Sequence, residues 1–240
     1  MDKIAVISDV HGNLPALYAV LDDIAQRSVK KIICLGDIIG KGPDSKEAID
    51  ICRKKCDVII KGNWDDMIAN NTREGAIDWY RKEIGEERLE YLDSLPISTE
   101  FMLSGKCVNL FHAHPTGVYR RVHPDYPIEE RFAMFSYKDN SKMADIAGYG
   151  DIHMQYIQYF DDRALFNTGS IGNPMDIPQA AYAILEGNYG SNKTGGYSIN
   201  FVRVPYDIEE AVRIAEQKDL PQKECYVSEI RTAVYIRRKL

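Results

Sequence analysis

No apolar run in the 240-residue chain approaches the roughly 18 residues that a membrane-spanning helix needs, so no membrane partner is expected. A surplus of positive charge is also missing. Thirty Lys and Arg face 36 Asp and Glu for a net charge of −6, which argues against general nucleic-acid binding and against an anionic membrane surface. Met1-Asp2-Lys3 runs straight into an apolar segment with no basic leader and no cleavage site, and a cytoplasmic location is the expectation. Cysteine is sparse and odd in number: five residues with no CxxC pair and no zinc-ribbon spacing. Cys52 and Cys56, four apart in a helical pattern, read as partly buried thiols.

What is present is an ordinary globular composition, 45% apolar and 28% charged, long enough to fold around a core without disulfide or metal staples. Lys3–Asp9, Lys31–Asp37 and Asp57–Asn63 are short β-branched runs that end in polar groups, the pattern of strands covered on both faces. Helical patterns lie between them, one opening at Leu14-Pro15 and one spanning Asp44 to Cys56. This is a βαβ beginning. Residues 65–96 read as helical up to Pro96, and 98–103 with 106–114 as a hairpin around Ser104-Gly105. The polar stretch 115–142 reads as a loop or small cap. Strand-like runs follow at 144–149, 164–168, 180–186 and 197–205, with a hairpin loop at 187–196 and a helix from Glu209 to Lys218. The expected fold class is α/β, in one domain over residues 1–240.

The informative feature is what ends the strands. They terminate in Asp9-Val10-His11, Gly36-Asp37, Gly62-Asn63, His112-Ala113-His114 and Gly150-Asp151-Ile152-His153. Open α/β sheets bind ligands beyond the carboxyl ends of their strands, so these side chains are expected to converge. Carboxylates, imidazoles and an amide are the ligands that divalent transition metals take. A single Asp or His at a strand end is usually a turn or cap residue. Four of the five histidines at such ends, each beside another candidate ligand, is a different matter.

Asp9-x-His11, Gly36-Asp37-(x)4-Gly42-Pro43, Gly62-Asn63-x-Asp65, His112 and Gly150-x-x-His153 resemble, in order and spacing, the motifs of the calcineurin-like metallophosphoesterases. The resemblance covers about residues 3 to 175. It is nearest to the small bacterial and archaeal phosphodiesterases, among them a diadenosine tetraphosphatase-like subset with Gly-Asn-Trp in the third motif. It implies a four-layer α/β/β/α sandwich of two mixed sheets and a dinuclear metal centre. Asp9, His11, Asp37 and His153 would hold one ion. Asp37, Asn63, His112 and Asp151 would hold the other, with Asp37 bridging. Two divalent ions against three carboxylates leave a charge that a bridging hydroxide balances, and that hydroxide is the nucleophile the family implies.

Two residues depart from the family pattern. Asp151 stands where histidine is usual; it either ligates, favouring Mn²⁺ or Fe over Zn²⁺ and leaving Ni²⁺ or Mg²⁺ open, or caps a turn beside a weak second site. Trp64 also replaces a histidine, and indole cannot deliver a proton at neutral pH. It either stacks on a base or forms a wall of the pocket. His114 is the candidate catalytic acid in its place, or else a satisfied buried histidine. Arg120 and Arg121 are candidate substrate-binding residues for phosphate oxygens, or a solvated surface pair.

The expectation is therefore a phosphoesterase cleaving phosphodiester or phosphoanhydride bonds of a small, nucleotide-like substrate, with dinucleoside polyphosphates the leading example. The alternative is a catalytically silent nucleotide- and metal-binding protein on the same fold. A homo-oligomer is left open.

Overall fold

A computed structural model of the chain describes residues 1–70, 75–137 and 142–236. Parts of two segments read from sequence, residues 71–74 and 138–141, lie outside that range.

Two five-stranded mixed sheets face each other. The first has the order β10-β9-β1-β2-β3, built from β1 (Asp2–Ile7), β2 (Lys31–Cys34), β3 (Val58–Ile59), β9 (Ala180–Gly187) and β10 (Ser198–Val204). β1, β2 and β3 are parallel, as their continuous apolar runs predict, while β9 joins β1 antiparallel. The second has the order β4-β5-β6-β8-β7, from β4 (Ser98–Leu103), β5 (Lys106–Phe111), β6 (Ile146–Tyr149), β7 (Gln155–Phe160) and β8 (Arg163–Thr168).

Strand periodicity divides the side chains among three cores. Ile4, Val6, Ile33 and Leu35 meet Val108, Leu110, Ile146 and Phe166 between the sheets. Ala5, Ile7, Tyr182 and Ile184 face the other way, into helices α1 (Leu14–Gln26), α2 (Ser45–Lys55), α7 (Ile208–Glu216) and α8 (Lys223–Thr232). On the outer face of the second sheet, Phe111, Ala147, Tyr149 and Leu165 are covered by Val122, Met134 and Phe135. The fourth layer is thus drawn from the polar stretch after residue 115, with one short helix, α6 (Ile128–Phe132), and a 3₁₀ turn.

The helical stretch expected at 65–96 is three helices, α3 (Asn63–Asn70), α4 (Ala76–Ile84) and α5 (Glu86–Ser94). Gly75 and Gly85 lie at φ 88° and 79°, which no right-handed helix can continue through. The hairpin at Ser104-Gly105 is present, both residues having the positive φ of a tight two-residue turn.

Candidate active site

The loops after β1, β2 and β3 leave the first sheet and those after β5 and β6 leave the second, all at the carboxyl ends of the strands. Asp9, His11, Asp37, Asp151 and His153 all lie in left-handed backbone conformation, with φ between 48° and 63°. For non-glycine residues this costs of order 1–3 kcal/mol each, and such strain collects at functional sites. Packing enforces it. A Cβ on Gly36 would sit 2.2 Å from the Gly62 nitrogen, and one on Gly62 would sit 2.2 Å from the Asp37 nitrogen. Only glycine at both places lets the second and third loops cross.

Asp9, His11, Asp37 and His153 are all buried, and one ligand atom from each lies within 4.8 Å of the others. His11 Nε2 is 3.5 Å from Asp37 Oδ2 and 3.3 Å from His153 Nε2. The far nitrogens are committed. His11 Nδ1–H donates to the Ile39 carbonyl at 3.0 Å, His112 Nδ1–H to Leu35 at 2.8 Å and His153 Nδ1–H to Asn173 at 2.5 Å. Each ring therefore turns its Nε2 inward, as a lone pair in neutral His11 and His153, the arrangement of metal-ligating histidines. Two such lone pairs facing each other at 3.3 Å repel unless a cation lies between them. Asp9 Oδ1, buried 3.1 Å from His153 Nε2, has no donor either. These residues fit a divalent ion.

Beside them, His112 Nε2 lies 2.9 Å from Asn63 Oδ1, 3.5 Å from Asp37 Oδ1 and 3.9 Å from Asp151 Oδ1. Asp37 stands between the two groups and receives the Trp64 backbone N–H at 2.7 Å, at the positive end of α3. Each group combines residues from both sheets. His153 joins three ligands of the first sheet, and His112 with Asp151 joins Asp37 and Asn63.

The electrostatics suit the same cation. Burial and the neighbouring Asp9 and Asp65 charges push Asp37 well above the usual carboxylate range. Burial and the positive charge of Lys41 keep His11 and His153 neutral, the form a metal requires. Burial also works against charge on His112, but Asp37, Asp9 and Asp151 outweigh it and lift the ring to about 9.

The remaining sequence candidates separate. Arg121 comes to the cleft and binds Asp151 bidentately, both contacts at 2.8 Å. Arg120 does not; it is exposed, 3.8 Å from Glu130. Trp64 is buried in the helix-side core, edge-on to His11 and Tyr80, and its ring fills the space a Gly40 side chain would need. That placement makes it a wall and leaves no open face for stacking. His114 accepts from the Thr116 N–H through Nδ1 and is held down to about 4 by burial and Arg120, so it is neutral. Residues without a sequence assignment also take part. Asp65 accepts from the backbone N–H groups of Asp37, Ile38 and Gly62 and so clamps two of the loops. The third motif, Gly62-Asn63-x-Asp65, already contained it. Lys41 donates to Asn173 Oδ1 at 2.8 Å, and nothing in its sequence context marks it.

A family model for the calcineurin-like phosphoesterase superfamily domain matches residues 2–189. The chain belongs to that superfamily. With this membership comes the reaction class, hydrolysis of phosphoester bonds; the family also implies divalent metal ions, for which the buried cluster is a candidate site. The uncharacterized protein MJ0912 of Methanocaldococcus jannaschii is 34% identical, covering 91% of this chain and 94% of its own. The phosphodiesterase YfcE of Escherichia coli is 24% identical, over 78% of this chain and 88% of its own. A metallophosphoesterase from Sphaerobacter thermophilus superposes with a TM-score of 0.78 at 25% identity, covering 97% of this chain and 99% of the other. Among the described residues no helix is long and apolar enough to cross a membrane.

Proposed function

We propose that this calcineurin-like phosphoesterase is a two-metal enzyme that cleaves phosphodiester or phosphoanhydride bonds of small, nucleotide-like substrates, dinucleoside polyphosphates among them. The observation that carries the reading is the inward-facing ligand set of Asp9, His11, Asp37 and His153, with its committed Nδ1 atoms and its donorless Asp9 oxygen. Asn63, His112 and Asp151 would hold the second ion with Asp37 shared. Mn²⁺ or Fe suits this mixed carboxylate and imidazole set better than Zn²⁺. Bound there, the ions would supply an ionisable water near neutral pH and positive charge for the phosphoryl oxygens.

The chain's own residues do the rest. The backbone carbonyls of Ile39, Leu35 and Asn173 fix each imidazole in its ligating tautomer. Arg121, half exposed beside Asp151, presents a guanidinium at the mouth of the cleft for phosphate oxygens. Neither Trp64 nor His114 is poised to protonate a leaving group, since Trp64 is walled in and His114 is neutral with its hydrogen bonds to Thr116. Leaving groups that need no proton, nucleoside phosphates and aryl oxides, are therefore favoured.

Hydrolysis of bis-p-nitrophenyl phosphate with Mn²⁺ tests the reading. The wild-type protein should turn over and Asp37→Ala should lose at least about a thousandfold. In the same assay phosphoserine peptides should be slower than dinucleoside polyphosphates by roughly 10²–10⁴, the usual worth of general-acid help. No hydrolysis with any divalent ion, or equal rates in Asp37→Ala, would refute it. One feature favours the silent-binder reading, the engagement of both Asp151 oxygens by Arg121. One ion per chain by metal analysis supports that alternative, and two support the enzyme.

A further inference from the structure

The family match ends at residue 189, yet chain beyond it returns to the active cleft. A cavity of about 370 Å³ opens beside the metal ligands. Polar Lys41, Arg121 and His123 and the larger Met154, Met175 and Tyr235 are among the residues that line it. Val234 and Tyr235 are 62% and 58% exposed, although the backbone that carries them is held firmly. Ala233 turns the chain at the end of α8 with φ 56°, donating its N–H to the Glu229 carbonyl at 2.8 Å. Three residues later the Ile236 N–H donates to Glu229 Oε1 at 3.0 Å.

Glu229 is fully buried, an expensive place for a carboxylate unless it is well bonded. Its second oxygen accepts from Asn173 Nδ2 at 3.2 Å. The carbonyl of that same Asn173 accepts His153 Nδ1–H, and its Oδ1 accepts from Lys41. A short buried chain of hydrogen bonds thus runs from the segment after α8 to a metal-binding histidine. The result is a fixed backbone presenting an exposed aromatic ring at a cavity that Lys41 and Arg121 also line. An exposed Tyr on an ordered backbone loses little conformational freedom on contact, and Met side chains adapt to a flat ring.

We propose that the segment Ala233–Ile236, anchored through Glu229, is the specificity wall of the active cleft, and that Tyr235, with Met154 and Met175, receives the nucleobase of a nucleotide whose phosphate lies toward Arg121. The proposal rests on the phosphoesterase reading for the position of the phosphate. Tyr235 is the specificity-determining residue, supplied from outside the matched family domain.

Calorimetric titration of the Mn²⁺-loaded protein with AMP and with ribose 5-phosphate, which lacks only the base, tests it. Wild type should bind AMP about tenfold more tightly than ribose 5-phosphate, the order expected of one base–aromatic stack. That ratio should fall to near one in Tyr235→Ala and persist in Tyr235→Phe. A wild-type ratio near one, an unchanged ratio in Tyr235→Ala, or binding of neither compound overturns the proposal. If bis-p-nitrophenyl phosphate is hydrolysed while the ratio is one, only the wall is wrong. If nothing is hydrolysed but the AMP preference appears and depends on Tyr235, the wall stands and the phosphoesterase reading falls.

Discussion

Asp151 is the residue that most separates this site from a generic one. It is 5% exposed, and its partner within hydrogen-bond reach is the half-exposed Arg121. Removing one partner of such a pair leaves a desolvated charge, which costs more than the pair itself contributes. In metal-free protein Arg121→Gln should therefore lower stability by about 2 kcal/mol, discounted for the exposure of the guanidinium. A cation beside Asp151 can replace the missing charge, so Mn²⁺ should recover most of the loss. Thermal denaturation of both proteins in chelator and in Mn²⁺ measures this. An equal deficit in the two conditions would place Asp151 outside the metal site. At this scale the sequence was most legible where chemistry is explicit. All seven residues read as metal ligands converge, because each ends a strand of a sheet whose carboxyl edge is shared. For Trp64 the sequence alone does not choose between base platform and wall, since it shows a side chain's chemistry but not which way α3 turns it.

Among the elements, those with a clear period were readable and those without were not. The β1–β2–β3 succession, the Ser104-Gly105 hairpin and α1, capped by Asn13 accepting from the Ala16 N–H at 3.2 Å, follow from pattern and turn chemistry. β7 went unread because Gln155, Gln158 and Tyr159 dilute its alternation, as an edge strand with one solvated side permits. α8 went unread because Glu229 occupies a core-facing position beside Tyr226 and Ile230, where an apolar residue is expected. α4 carries a different polar burden. Burial lifts Glu83 from its ordinary 4.5 to about 7, with Lys218 at 3.7 Å offset by Glu47 and Asp44. The sign follows from the raised value. The folded state holds this proton more tightly than the unfolded chain, so the ionised carboxylate opposes folding progressively as pH rises from 4.5 through 7. Glu83→Gln should be neutral at pH 4.5 and stabilising at pH 8 by about 1 kcal/mol, a rise of roughly 2–4 °C for a chain this long. Melting curves across that range check it, and a gain at low pH would contradict the assignment.

For the whole molecule, two mixed sheets packed on a shared core, with helices on one side and the 115–137 segment on the other, agree with the layout that the ordered motifs imply. The thinness of that outer layer was not legible, since a polar, irregular stretch gives no sign that Val122, Met134 and Phe135 are its buried side. The ligands after β1, β2 and β3 belong to one sheet and those after β5 and β6 to the other, so every ion bound would be gripped from both halves. In mechanical terms the centre is a rivet through the sandwich, resisting the sliding of one sheet over its neighbour. Stretched between attachment points at Lys3 on β1 and Arg163 on β8, the protein should yield at higher force in Mn²⁺ than in chelator. Equal rupture forces would mean that the ions hold only one sheet. A hydrolase that must keep its phosphate-binding edge rigid at every turnover would then owe that stiffness to the same atoms that do its chemistry.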